Sequence, residues 1–271
     1  MIGIFDSGIG GLTVAREVLR LLPEYQILYF GDTARTPYGN KSRDTIVRYA
    51  VEDTELLLKH GATVVVVACN TASAVAAAEL KKRYPTIPIF EVITPAVKRG
   101  TEVTRNKRIG VIGTRATIES RIYEDTIKHK KNGYTIVSKA CPLFVPLAEE
   151  GWEKKPAAKL IAQKYLRPMK NDQIDTLILG CTHYPLLRDV IQQKIGKRVT
   201  LVDPAEQTIL LLREYLRQHP DTEARLTRSN QHQFLFSDIP PHLTQLIERW
   251  LGQPVKPKIS GIPNEAVNRT R

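Results

Sequence analysis

The feature that most restricts this chain is the run Thr63–Ala74, T-V-V-V-V-A-C-N-T-A-S-A, in which four consecutive valines lead straight into a cysteine and short polar residues. Successive side chains of a strand point to opposite faces, so four β-branched apolar residues in a row need cover on both sides. That predicts a parallel sheet between helical layers, with Cys69 at the carboxyl end of a strand. Ligands of open α/β sheets bind just outside those strand ends, which marks Cys69, Asn70 and Thr71 as candidate site residues.

The pattern occurs twice. Asp175–Pro185 reads D-T-L-I-L-G-C-T-H-Y-P, and I-G-I-F-D-S at Ile2–Ser7 resembles I-G-V-I-G-T at Ile109–Thr114. Cys69 follows Ile4 by 65 residues and Cys181 follows Val111 by 70, so order and spacing are both kept. Two similar α/β halves are predicted, with strand ends facing across a cleft and one cysteine on each wall. A length of 271 residues suits two domains. The expected division is residues 1–95 with 205–271, the last portion packing back on the first half, and residues 96–204.

Predicted strands over Ile2–Phe5, Ile27–Gly31, the valine run, Ile87–Val92, Arg108–Gly113, Tyr134–Cys141, the second cysteine run and Val199–Val202 alternate with predicted helices. Those helices end at Leu22, span Ser42–His60 and Ala72–Tyr84, reach Lys130 before a turn at Asn132-Gly133, span Ala157–Met169 and reach Arg217. Thr94-Pro95 is the expected crossing into the second half. Phe234–Phe236 reads as strand and His242–Leu251 as helix, ahead of a Pro-rich basic tail, Pro254–Arg271, expected to be partly disordered. The turn Asp6-Ser7-Gly8-Ile9-Gly10-Gly11 fails the dinucleotide fingerprint, because Thr13 stands where its third glycine belongs. Asp6 and Ser7 nevertheless put a carboxylate and a hydroxyl at a strand end beside helix N-terminal N–H groups, which hold anions. Asp6 reads equally as an N-cap. Thr114, Thr117 and Asp203 read as caps, Cys141 as a small buried hydrophobe, and Tyr38, in T-P-Y-G, as ligand cover or packing. Glu150, after a short apolar turn, reads as solvated, while Glu149 stays open between surface and site.

Forty Lys and Arg against 28 Asp and Glu give a net charge of +12, which draws anionic substrates or nucleic acid. The charge is dispersed over Lys81–Arg83, Lys128–Lys131, Lys154-Lys155 and Lys194–Arg198, on or beside predicted helix faces, and is read as solvated surface. Met1 runs into a strand with no basic leader, so no secretory signal is expected. Gly61–Ala78 lacks charge, but its polar interruptions favour a strand and a helix start over a membrane span. Three cysteines without C-x-x-C spacing suit a reducing cytosol, so the expected location is cytoplasmic.

Two matched strand-end thiols admit three chemistries. Cys69, Cys181 and His183 could hold a metal, although C-x-H is a poor chelate spacing. His183 could serve as base for a Cys181 nucleophile. Neither reading requires a cysteine at the equivalent place in the other half. Removing a proton from one face of a carbon and adding one to the opposite face does, with one thiolate as base and one thiol as acid.

The motifs F-D-S-G-I-G-G-L, P-Y-G, A-C-N-T-A-S and G-C-T-H-Y-P, in this order, resemble those of the bacterial glutamate racemases, and the resemblance runs over Met1–Asp203. It implies an α/β protein of two pseudo-symmetric flavodoxin-like three-layer domains with parallel sheets and an active site in the cleft between them. It also implies interconversion of L- and D-glutamate without cofactor or metal, supplying D-glutamate for peptidoglycan. Cys69 would take the α-proton of D-glutamate and Cys181 that of L-glutamate. Asp6, Ser7, Tyr38, Gly39, Asn70, Thr71, Thr182 and His183 would line the substrate, with Asp6, Glu149 and His183 assisting proton transfer. The expected partner is glutamate, with no membrane and no nucleic acid, and a homodimer is left open. Racemisation of aspartate or a hydantoin is the alternative activity, and a basic nucleic-acid-binding protein the alternative outside enzymes.

Overall fold

Valines 64 to 67 are all fully buried, as a strand covered on both faces demands. Around them the computed structural model, which describes residues 1–130, 133–241 and 243–261, alternates strand and helix. The order is β1 (Ile2–Asp6), α1 (Leu12–Leu21), β2 (Ile27–Gly31), α2 (Arg43–Lys59), β3 (Val64–Val67), α3 (Asn70–Arg83), β4 (Ile89–Glu91) and α4 (Ile93–Val103). There follow β5 (Arg108–Gly113), α5 (Arg115–Glu119), α6 (Ile122–Lys130), β6 (Thr135–Ala140), α7 (Phe144–Glu149), α8 (Pro156–Asn171), β7 (Thr176–Gly180), α9 (Arg188–Ile195) and β8 (Thr200–Val202). The chain continues with α10 (Pro204–Gln218), α11 (Pro220–Glu223), β9 (Gln233–Phe236), α12 (Leu243–Leu251) and β10 (Lys258–Ile259).

Contacts divide the chain into two compact units, one of Met1–Glu91 with the chain from Thr208 onward, the other of Val92–Gln207. Each holds one sheet whose pairings are parallel, with order β10-β9-β2-β1-β3-β4 in the first and β6-β5-β7-β8 in the second. The sequence repeat reappears as topology: β2-β1-β3-β4 and β6-β5-β7-β8 are the same order, with β5 standing for β1 and β7 for β3. Cys69 and Cys181 therefore follow corresponding strands. The late strand β9 pairs with β2, Leu28 opposite Gln233 through Gly31 opposite Phe236, so the first sheet is extended by residues from the far end of the chain.

Several boundaries follow the expected chemistry. Ser42 caps α2 by accepting from Thr45 N, and Gly61, at φ +89°, ends that helix where a left-handed residue is needed. Asp203 Oδ1 accepts from Ala205 N at 2.9 Å, with Pro204 opening α10, and Thr114 Oγ1 accepts from Thr117 N at 3.4 Å to cap α5. Thr117 itself starts no helix; its hydroxyl lies 3.0 Å from that of Thr114.

Elsewhere the structure departs from expectation. The helix expected to reach Lys130 is broken into α5 and α6 at Arg121, whose φ of +56° interrupts the helical bonds. The Thr94-Pro95 crossing is the first turn of α4, where a proline's missing N–H costs nothing because those donors have no partner within the helix. The turn after Phe144 is the helix α7, and α11 is a helix the pattern does not announce. The tail contains a strand, β10, paired to β9. His242, residues 131–132 and residues 262–271 lie outside the described residues, and with them parts of the expected last helix, of the expected Asn132-Gly133 turn and of the tail expected to be partly disordered. No helix among the described residues is long and apolar enough to cross a membrane. Lys81, Lys82 and Arg83 stand exposed in the last turn of α3, where cations complement the helix dipole.

One glycine is dictated by close approach. A Cβ on Gly31 would lie 2.5 Å from the Gly8 carbonyl oxygen and 2.7 Å from the Phe236 ring, so this point of β2 admits no side chain between the β1–α1 turn and β9. Gly31→Ala is expected to destabilise the protein by about 1–3 kcal/mol, the usual cost of overpacking, read as a fall in the thermal midpoint. An unchanged midpoint would show that the backbone yields there.

Candidate active site

In the first unit the valine strand stops at Val67 and α3 starts at Asn70, leaving only Ala68 and Cys69 to turn the chain. Cys69 keeps extended geometry, with φ −63° and ψ 119°, and its sulfur accepts from Ala72 N at 3.5 Å as the N-cap of α3. Short side chains make this abrupt start feasible: Ala68, Ala72, Ser73, Ala76 and Ala77 are buried. Ser73 Oγ donates to the Val67 carbonyl at 3.0 Å and ties the first turn of the helix to the strand end. Asn70 and Thr71, both 4% exposed, occupy that first turn beside backbone N–H groups without helical partners.

The adjacent strand β1 ends at Asp6, which is buried and accepts from Gly8 N at 3.1 Å. Asp6 therefore shapes the turn before α1 rather than capping the helix, whose cap position is Gly11. Ser7 follows, and its Oγ accepts from the Cys69 thiol at 3.4 Å. Burial, and then the Asp6 carboxyl, push the Cys69 thiol up to about 12; the bonds to Ser7 and from Ala72 N pull the other way without overcoming them. Cys69 rests as a thiol.

The second unit places Cys181 one residue past β7, but no helix follows immediately. The chain first makes a 3-10 turn, Tyr184–Leu187, with Pro185 in its opening turn where a missing N–H costs little, and then enters α9. Cys181, Thr182 and His183 are buried at 6%, 9% and 9% exposure. His183 Nδ1 lies 3.9 Å from Cys181 Sγ and 3.5 Å from Thr182 Oγ1, and Nε2 lies 3.0 Å from Glu149 Oε1. Glu149 reaches this position because α7, of which it is the last residue, packs on the 3-10 turn. Tyr184 fixes that packing: its hydroxyl donates to the Cys141 carbonyl at 2.9 Å and its ring meets Phe144 edge-on at 5.3 Å. Burial pushes the His183 imidazolium down, but its hydrogen bonds with Cys181 and then Glu149 outweigh that and hold it up at about 10. His183 is therefore a cation whose two N–H groups are aimed at a sulfur and a carboxylate.

The structure thus groups Asp6, Ser7, Cys69, Asn70 and Thr71 at one set of strand ends, and Glu149, Cys181, Thr182 and His183 at another. Tyr38 is fully buried in the 3-10 turn Tyr38–Asn40, in the same apolar cluster as Cys69, with Gly39 half-buried after it. Cys141 is buried, its thiol pushed up by burial, and Glu150 is exposed. Among the described residues, no group of three or more His, Cys, Asp or Glu is arranged to hold a metal ion. Sequence reasoning missed a buried cluster of Asp32, Arg35, Glu52 and Asp53 around the Tyr38 hydroxyl. The signal was there, an Asp-x-x-Arg step after β2 and an adjacent acid pair on α2, but charged residues on a loop and a helix pass for surface.

The Asp/Glu/Hydantoin racemase family model matches residues 12–212. The chain is 47% identical over 251 residues to a glutamate racemase of Geobacter metallireducens, covering 93% of this chain and 92% of that protein. Among solved structures, glutamate racemase isoform RacE1 from Bacillus anthracis aligns with a TM-score of 0.90 at 36% identity, covering 97% of this chain and 98% of that one. Glutamate racemase from Francisella tularensis in complex with D-glutamate aligns with a TM-score of 0.88 at 35% identity, covering 97% of each chain.

The charge on His183 has a measurable pH signature. Its folded-state value is raised, so the stability that the imidazolium contributes is fully present below about 6.5 and is lost as pH rises through about 10. In ¹⁵N NMR titrations of the imidazole, Cys181→Ala is expected to lower the midpoint more than Glu149→Gln, because the sulfur is the larger source of the shift. A midpoint near 6.5 in the intact protein would contradict the ion pair.

Proposed function

Since the chain belongs to the Asp/Glu/Hydantoin racemase family, we propose that it interconverts L- and D-glutamate with Cys69 and Cys181 as the two acid–base groups. The observation that carries this reading is topological: the thiols follow β3 and β7, corresponding strands of two like sheets. From L-glutamate, the Cys181 thiolate takes the Cα proton, breaking Cα–H and forming S–H. The Cys69 thiol then gives its proton to the opposite face of the carbanion. In the reverse direction the roles exchange, and each turnover leaves the two sulfurs with swapped protonation, which solvent resets.

The local electrostatics support this division of labour. Burial keeps the proton on Cys69, as an acid at rest requires. The His183 Nδ1–H faces the Cys181 sulfur and is held there by Glu149, which is what a thiolate base requires. Asp6, Ser7, Asn70 and Thr71 in the first unit, Thr182 and His183 in the second, and the Tyr38-Gly39 segment are proposed to hold the substrate. The N-terminal end of α3, with its positive dipole end, suits a substrate carboxylate. Cofactor-free chemistry in the cytoplasm, with D-glutamate passing to peptidoglycan, completes the proposal.

Either Cys69→Ala or Cys181→Ala is expected to lower racemisation by about 10²–10⁴-fold, the range of a lost acid or base. In deuterated water, D-glutamate formed from L-glutamate should carry deuterium at Cα from the first turnovers, while recovered L-glutamate stays unlabelled. Activity should survive dialysis against a chelator, without pyridoxal or flavin absorbance. L-aspartate and a hydantoin should be far poorer substrates. Product that keeps its original hydrogen, or a single-cysteine variant near wild-type rate, would defeat the two-thiol mechanism.

A further inference from the structure

The loop between β2 and the 3-10 turn lies beside both segments that frame Cys69, the Ser7–Gly8 turn and α3. On one side Thr36 lies over the turn that carries Ser7, since a Cβ placed on Gly8 would come within 3.2 Å of Thr36 Oγ1. On the other, the 3-10 turn packs on α3, and the Tyr38 ring shares an apolar cluster with Cys69, Ala72 and Ala76. The loop therefore rests against the turn that carries the serine bonded to the Cys69 thiol, and the 3-10 turn it leads into rests against the helix that Cys69 caps.

The loop's own apolar content is too small to hold it there. Its side chains converge instead on one buried cation. Arg35, 9% exposed, donates from Nε to Asp32 Oδ2 at 2.6 Å, from one terminal nitrogen to Glu52 and from the other to Asp53 Oδ1 at 2.9 Å, and its guanidinium stacks 3.9 Å above the Tyr49 ring. Asp32 and Asp53 are fully buried, and both also meet the Tyr38 hydroxyl, at 2.5 and 2.8 Å. The phenol brings a proton between two carboxyls, and burial, and then Asp32, hold Asp53 well above the usual carboxylate range. Glu52 and Asp53 belong to α2, so the network ties the loop to a rigid helix. Ser237, just past β9, adds a third anchor: its Oγ donates to Asp32 Oδ1 at 3.0 Å and accepts from Ala34 N at 2.8 Å.

We propose that Arg35 is the positioning residue of the Cys69 half-site, bridging Asp32 to the α2 acids so that Tyr38 is locked into the apolar cluster that holds Cys69, and Thr36 against the Ser7–Gly8 turn. Arg35 itself touches no reacting atom. It sets the access and the surroundings of the thiol through Tyr38, and the planar fork of a guanidinium is needed because a lysine ammonium cannot span three carboxyls with fixed geometry. The proposal depends on the racemase reading only in making Cys69 a group worth positioning, and its main readout does not use racemisation.

The test is site-resolved alkylation of the full-length protein with iodoacetamide, quantified at Cys69 and Cys181 by peptide mass spectrometry, in Arg35→Lys and Tyr38→Phe. Glu55→Gln, on the same helix in an exposed pair with Arg83, is the control. In both test variants Cys69 is expected to react at least about fivefold faster as its cover loosens, with Cys181 within about twofold of the parent. KM for glutamate should rise with a smaller change in kcat, as expected when a binding loop loses its preset geometry. The proposal fails if Cys69 alkylation stays within about twofold in the folded variants, or if both thiols accelerate together, which would mean general loosening. If only one variant folds, that variant decides; if neither folds, the network serves stability alone and the proposal is overturned. A parent protein that does not racemise glutamate would refute the racemase reading while leaving the alkylation result to stand by itself.

Discussion

The first unit turns on a single economy of chain: two residues separate the end of a fully buried strand from the start of a helix, and one of them must cap that helix. Serine, threonine, aspartate or asparagine would satisfy the N–H groups more strongly. A cysteine does it weakly, through a 3.5 Å contact from Ala72 N. The helix tolerates the substitute because its small buried residues seat it on the sheet and because Ser73 reaches back to Val67. The fold thus spends a capping position on a thiol, and everything nearby, from Asp6 and Ser7 to the Tyr38 ring, is arranged around a sulfur that burial keeps protonated.

Two sheets with one strand order do not give two identical environments. After β3 the chain enters an α-helix at once, and the thiol sees helix N–H groups, a serine and a neighbouring carboxyl. After β7 the chain enters a 3-10 turn first, and the thiol sees an imidazolium steadied by Glu149. A strictly symmetric pair would give both sulfurs the same resting proton. The divergence in the few residues past each strand separates a buried thiol from a sulfur faced by a cation, while the sheets beneath stay alike.

How far the sequence discloses this depends on the type of signal. The valine run, the paired cysteine motifs and the preserved spacing are strand-level features, and they announce the parallel sheets and the repeat because burial on two faces leaves little choice of composition. Helix ends with Ser42, Asp203 and Gly61 are legible for the same local reason. Helix α4 is not, since Pro95 reads as a breaker until its place in the first turn is known, and α7 is not, since six residues carry too little periodicity. Asp6 and Ser7 are legible as strand-end residues. The Arg35 cluster is hidden because charged residues on a loop and a helix pass for surface, and their burial is decided by tertiary contacts that the local pattern does not show.

The pairing of β9 with β2 also has a bearing on how the protein is made. Residues 233–236 cover an edge of the first sheet that opens early in the chain, and Ser237 and Asp238 bond to the loop that follows β2. During synthesis the four strands β1 to β4 emerge long before their outer neighbour, so the β2 edge stays unsatisfied while more than half the chain is still on the ribosome. An exposed parallel edge of that kind is an aggregation hazard. The second unit is a continuous segment and can fold as soon as it emerges, so the unit that starts first is the one that finishes last.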